Sequence, residues 1–328
     1  MRQIDSVKVV FRWMTIVLVI GLLYGIAVDK ATAQYKMEMT VAKDGSGDYR
    51  SIQAAVDASK SFPYERITIH IKNGVYREKV KVHAWNPKLT FVGESKDKTI
   101  ITYDDYFDKI DRGRNSTFFT YTLLVQGNGF QAKNLTVQNT AGPVGQAVAL
   151  HVEADRAVFE NCRFLGNQDT IYLAGEGFRQ YFKNSYIEGT TDFIFGQATV
   201  VFENSTIHST SNSYITAAST PKNQPFGFVF MDCKLTADSD VSEVYLGRPW
   251  RKYAQTVFIN SWLGNHIIPA GWDNWGDPKN EQTVLYAEYE NQGPGYKPDQ
   301  RVEWAQQLSK EEAQIYSLEN IFRGWNPL

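Results

Sequence analysis

An asparagine recurs behind short β-prone runs at Asn134, Asn161, Asn184, Asn204 and Asn260, with Asp232 in the same place once. The intervals are 27, 23, 20, 28 and 28 residues, which suits the turns of a solenoid but is too uneven for a strict sequence code. The runs before it, such as residues 157–159, 200–202, 228–230 and 256–259, are rich in β-branched and aromatic residues, as strands are. Asparagine and aspartate tolerate left-handed backbone and bond neighbouring peptide groups, so each one is expected to turn a corner. Stacked on successive turns, their side-chain amides are expected to pair along the axis. Long helical periodicity is absent from the middle of the chain, and the fold class expected is all-β, a solenoid of parallel strands.

A solenoid needs covered ends. Ser51 precedes Ile52, Ala55, Val56 and Ser59 at helical spacing, predicting a short helix over the first turn. Near the other end Ser309 and Glu312 form a capping-box pattern that predicts a helix over residues 310–317. The only cysteines, Cys162 and Cys233, each follow a corner residue in a slot that elsewhere holds Ser185, Ser205 and Ser261. They fall three turns apart, about 14 Å at the strand spacing, beyond the roughly 7 Å that a disulfide spans, so they are expected to be unbonded core residues.

Residues 1–33 read as a secretory signal peptide: Arg2, Lys8 and Arg12, then an uncharged run of 16 residues from Trp13 to Val28, then Ala31, Thr32 and Ala33. That run falls short of a bilayer span, so the remainder, residues 34–328, is expected to be secreted or periplasmic, without stable membrane association once the signal is cleaved. Without the leader the chain carries 30 basic and 34 acidic residues. So balanced a charge, with no dense Lys/Arg tract, argues against nucleic acid as a partner.

Two aspartates share one phase of the repeat. Asp169 lies eight residues past Asn161, and Asp192 eight past Asn184. On adjacent turns, equivalent positions stack at roughly 4.8 Å. Two carboxyl groups held that close cannot both ionise freely, so one stays an acid beside a base.

Five runs frame these residues: GVYRE at 74–78, GQAVAL at 145–150, GNQDTIY at 166–172, DFIFG at 192–196 and LGRPW at 246–250. In this order, from about Val41 to the C-terminal region, they resemble the pectin methylesterase (pectinesterase) family. The resemblance implies a single-stranded right-handed parallel β-helix with short capping helices and a cleft on its outer face, acting on methyl-esterified pectin. Carried over by motif, Asp192 resembles the nucleophile that attacks the galacturonate methyl ester, and Asp169 the acid that protonates methanol and then activates water. Gln146 and Gln168 resemble the oxyanion-stabilising amides, and Arg248 the guanidinium that holds Asp192. Trp250 resembles a cleft-lining ring; Trp272, Phe193 and Tyr172 are further candidates for stacking on sugar faces. Trp262 and Trp275 are expected to pack in the core or a loop, and GVYRE to serve a turn.

The rival chemistries fit less well. The chain has no G-x-S-x-G run, no H-E-x-x-H and no Cys/His cluster, and none of His70, His83, His151, His208 and His266 stands in a triad motif. A polysaccharide lyase on the same architecture would need calcium, and Asp104, Asp105, Asp108 and Asp111 are its only tempting cluster. A non-catalytic sugar-binding β-helix has no reason to keep an aligned acid pair. The expectation is a monomeric carboxylic ester hydrolase that needs no cofactor and no metal.

Overall fold

A computed structural model describes residues 35–327. Among them the strands form three sheets of eleven, eight and seven strands, every pairing parallel, and each complete turn between Ile67–Ile71 and Tyr245–Pro249 places one strand in each sheet. The chain is a right-handed parallel β-helix. One turn runs from Ala157–Glu160 through Arg163–Leu165 to Ile171–Leu173; the next repeats it as Arg179–Lys183, Tyr186–Gly189 and Ile194–Gly196.

Asn134, Asn161, Asn184, Asn204, Asp232 and Asn260 all have φ between 49° and 57°, the left-handed geometry that lets the chain leave the eleven-stranded sheet for the eight-stranded one. Their amides pair along the axis in two couples, Asn161 to Asn134 at 2.7 Å and Asn204 to Asn184 at 2.6 Å. The continuous ladder expected is therefore interrupted: the Asn161 oxygen also accepts from the Lys96 ammonium. The serine slot beside it carries the bonding onward. Ser185, Ser205 and Ser261 hydroxyls accept the backbone N–H of Cys162, Ser185 and Cys233 on the preceding turn.

Inside, Phe159, Phe182, Phe202, Phe230 and Phe258 stack one per turn with centroids 4.3 to 5.0 Å apart. Each such pair adds about 0.5–1.5 kcal/mol beyond its area burial and fixes the register. Cys162 and Cys233 are buried free thiols, as expected.

The ends are covered. Ser51 caps the helix Ile52–Ala58, whose Ile52, Ala55 and Val56 are buried, and Glu78 of GVYRE accepts the N–H groups of Ile52 and Gln53. That motif thus fastens the cap. The capping box at Ser309 and Glu312 is present, but its helix spans only Lys310–Ala313, and a second helix follows at Leu318–Ile321. The expected single helix is broken because Tyr316, Ile321 and Phe322 must lie against Val201, Val229 and Val257 on the outside of the eleven-stranded sheet. The signal-peptide reading of residues 1–33 lies outside the described residues. No helix among the described residues is long and apolar enough to cross a membrane.

Candidate active site

The site lies on the seven-stranded sheet, where register aligns one side chain per turn. Lys81, Leu124, His151, Tyr172, Phe195, Ala217 and Arg248 are successive partners. This row is the floor of an open groove. Asp169 and Asp192 precede it by the same offset, two residues before Ile171 and Ile194, which pair directly. Both aspartates have positive φ, 65° and 49°, a conformation that brings their carboxyls to the corner where the strand begins. The glycines of two motifs permit this close winding: a Cβ on Gly196 would stand 2.1 Å from the Leu173 carbonyl, and one on Gly247 would stand 2.0 Å from the Thr216 hydroxyl.

Asp169, Asp192, Gln146, Gln168, Arg248 and Trp250 line one cavity of about 500 Å³ together with Phe118, Phe195, Ala217 and Trp275. The structure thus brings together six of the expected residues. Arg248 holds Asp192 with both arms, Nε to Oδ1 at 3.0 Å and Nη2 to Oδ2 at 2.7 Å. The guanidinium is itself clamped, its carbon 3.9 Å from the Tyr214 ring centroid and 3.8 Å from that of Trp275. Two aromatic faces fix its plane and the fork fixes its rotation.

The two carboxyls are thereby made unlike. Burial pushes Asp169 well above the ordinary carboxylate range, the negative charge of Asp192 pushes further, and Arg248 offsets only part of this. Burial also raises Asp192, but the hydrogen bonds and charge of Arg248 hold that rise back. Asp192 therefore ionises first and Asp169 keeps its proton. The Gln146 and Gln168 side chains line the same cavity as the acid pair, where their carboxamide N–H groups are donors of the right kind to serve it.

Two expected sugar-stacking residues are elsewhere. Phe193 is 0% exposed and Trp272 is 1% exposed. Phe193 lies before the strand Ile194–Gly196 that carries Phe195 into the groove, and its ring tucks inward against Gly189. Trp272 stacks on Tyr286 at 4.5 Å inside the helix. Trp275, expected to pack in a core or loop, instead closes over Arg248 at the cavity. Tyr172 does lie in the groove, stacked on Phe195 at 4.7 Å, with the edge of the buried His151 beside it. Phe195, Tyr214 and Trp275 were not distinguishable beforehand: only the register reveals the first two, and no local pattern announces the third. Asp104 and Asp105 are neutralised by Arg77, Lys79 and Lys109.

A family model described as Pectinesterase matches residues 38–325. The chain is 40% identical to Pectinesterase 31 of Arabidopsis thaliana over 281 residues, covering 83% of this chain and 88% of that protein. It is 39% identical to Putative pectinesterase/pectinesterase inhibitor 45 of the same plant over 88% of this chain, and spans about half of that longer relative, 49%. Among solved structures it is similar to a pectin methylesterase from carrot, with TM-score 0.82, 38% identity, and coverage of 87% of this chain and 93% of the other. A pectin methylesterase in complex with a hexasaccharide matches with TM-score 0.77 at 28% identity, over 88% and 98% of the two chains.

Proposed function

The chain belongs to the pectinesterase family, and on that premise we propose that it removes methyl esters from galacturonate units of pectin and releases methanol. The observation that carries this reading is the pair of stacked carboxyls, of which Arg248 forks one and burial keeps the other protonated.

The groups present suffice for the chemistry. Asp192, ionised and aimed by Arg248, attacks the ester carbonyl carbon, and the electron pair of the C=O bond moves to oxygen. Gln146 and Gln168 donate to that oxyanion where its charge develops. The intermediate collapses, the carbonyl re-forms, and Asp169 gives its proton to the departing methoxy oxygen. Methanol leaves and an anhydride joins Asp192 to the galacturonate. Asp169, now a carboxylate, takes a proton from water as its oxygen attacks the anhydride; Asp192 departs as a carboxylate. Ester and water have become acid and methanol, with Asp169 protonated and Asp192 ionised as at the start. Trp250 and Tyr172 offer rings to the sugar faces on either side of Phe195.

The groove is open along its length, as a polymer requires. The proposed assembly state is a monomer comprising residues 34–328, exported to the periplasm or beyond after loss of residues 1–33. N-terminal sequencing of exported protein that begins at Gln34 supports this; retention of Met1 contradicts it. The activity itself is tested on methyl-esterified pectin. Methanol without ultraviolet-absorbing product is the expected result, and unsaturated uronides would establish a lyase instead.

A further inference from the structure

Three large aromatic side chains stand in solvent just ahead of strands of the eleven-stranded sheet, Phe62 and Tyr64 between the cap helix and Ile67–Ile71 and Trp85 between Val80–Val82 and Leu89–Gly93: Phe62 is 70% exposed, Tyr64 86% and Trp85 47%. Single exposed hydrophobics are ordinary, but these three fall on two segments joined by a backbone bond, and a grouped apolar surface marks an interaction site. The segments carrying them are pinned. Phe62 N–H donates to the Trp85 carbonyl at 2.7 Å, the Lys88 ammonium donates to the Tyr64 carbonyl at 2.7 Å, and Pro63 fixes the turn between them. Trp85 is held flat by His83, whose ring lies parallel to it at 4.3 Å. Phe62 has φ 50°, a left-handed conformation that costs a bulky residue about 1–3 kcal/mol. Glycine or asparagine would turn the chain there more cheaply.

The groove leads to this place. Its floor row continues from Tyr172 through His151 and Leu124 to Lys81. These four residues and Ala84, the neighbour of Trp85, line a trough of about 690 Å³. Phe118 lines both this trough and the cavity of the acid pair. From the strand after Asp169, Ile171–Leu173, to the strand before Trp85, Val80–Val82, is three strand spacings, about 14 Å.

We infer that Phe62, Tyr64 and Trp85 form an outer polysaccharide-binding platform, which grips a pectin chain several sugar units away from the ester being hydrolysed. Aromatic faces suit the C–H faces of pyranose rings, and an uncharged platform accepts esterified and de-esterified units alike. The inference rests on the pectin reading above, and its occupant is the same chain continued along the trough. Its consequence is a preference for long substrates, since a short oligomer centred on the acid pair cannot reach Trp85.

Trp85→Ala and Phe62→Ser, tested separately, each raise KM about three- to tenfold on polymeric pectin, the loss of one stacking contact. With kcat unchanged, neither affects kinetics on a short methyl-esterified oligogalacturonide, which also shows that the variants are folded. Unchanged KM on the polymer, or equal loss on both substrates, overturns the inference. Affinity electrophoresis separates the two readings. Retardation by pectin that falls in Trp85→Ala sustains the platform even if wild-type protein releases no methanol, an outcome that would sink only the esterase reading. Equal retardation in a dextran gel marks a generally sticky surface and overturns the platform.

Discussion

Arg248→Lys keeps a positive charge beside Asp192 and removes the shape of the group that carries it. Wild type makes two charge-assisted bonds, at 3.0 and 2.7 Å, from a plane gripped by Tyr214 and Trp275 at 3.9 and 3.8 Å. An ammonium reaches one carboxylate oxygen at a time and has no plane to be gripped. One charge-assisted bond is worth about 1.5–3 kcal/mol. If the transition state feels its loss in full, kcat falls about 10- to 150-fold, while KM, set by contacts along the groove, stays within about threefold. The acid limb of the rate profile moves little, because the charge that favours ionised Asp192 persists. Arg248→Gln removes that charge as well. Asp192, buried and without its partner, then ionises only at higher pH, so the acid limb shifts upward and kcat falls further. Initial rates of methanol release across pH measure both variants. A lysine variant with wild-type kcat would refute the claim that the fork aims the nucleophile, and an unmoved acid limb in the glutamine variant would refute its electrostatic role.

Other variants probe the remaining groups. Asp169→Asn lowers kcat by about 10²–10⁴-fold, the usual worth of a placed acid and base, yet melts at higher temperature than wild type at neutral pH. In acid both folded and unfolded wild type hold the Asp169 proton and the variant gains nothing. As pH rises the unfolded chain releases it while the buried site retains it, and wild type loses about 1.4 kcal/mol per pH unit until the raised folded value is passed. Melting curves from acid to neutral pH check this, and a variant less stable throughout would contradict the buried-acid assignment. Gln168→Ala lowers kcat by about 10²–10³-fold with KM little changed, as loss of an oxyanion donor does; a change confined to KM would make it a binding residue. Burial pushes both cysteine thiols up to about 12, so a thiol reagent should find none in the native protein and two after denaturation.

Much of the architecture was legible because its determinants are local and repeated. A corner residue in left-handed geometry with a β-prone run before it recurs from turn to turn, with a small residue after it from Asn161 onward, so the solenoid, the phase of the aspartates and the separation of the cysteines follow from counting. What failed was what counting does not reach. The amide ladder breaks where Lys96, from an earlier turn, takes an asparagine oxygen. The C-terminal helix stops early because docking on the sheet outweighs local propensity. Phe193 stands one residue before the strand Ile194–Gly196 that carries Phe195, and a strand pattern extended back to it puts the wrong ring in the groove. Trp272 and Trp275 illustrate the same limit. Their loop runs beside the strand Tyr245–Pro249, with Leu246 N–H bonded to Gly271 and Asp273 N–H bonded to Gly247, so three residues of advance carry a tryptophan from the interior to the face of Arg248.

Two neighbouring carboxyls share the groove in opposite protonation states. Carboxyl-carbon NMR of aspartate-labelled protein, with Asp169→Asn and Asp192→Asn assigning the two signals, reads this directly across a pH titration. The prediction is that Asp192 becomes a carboxylate first and Asp169 keeps its proton to a pH well above the ordinary range. Both signals titrating together as ordinary carboxylates, or Asp169 ionising before Asp192, would contradict it.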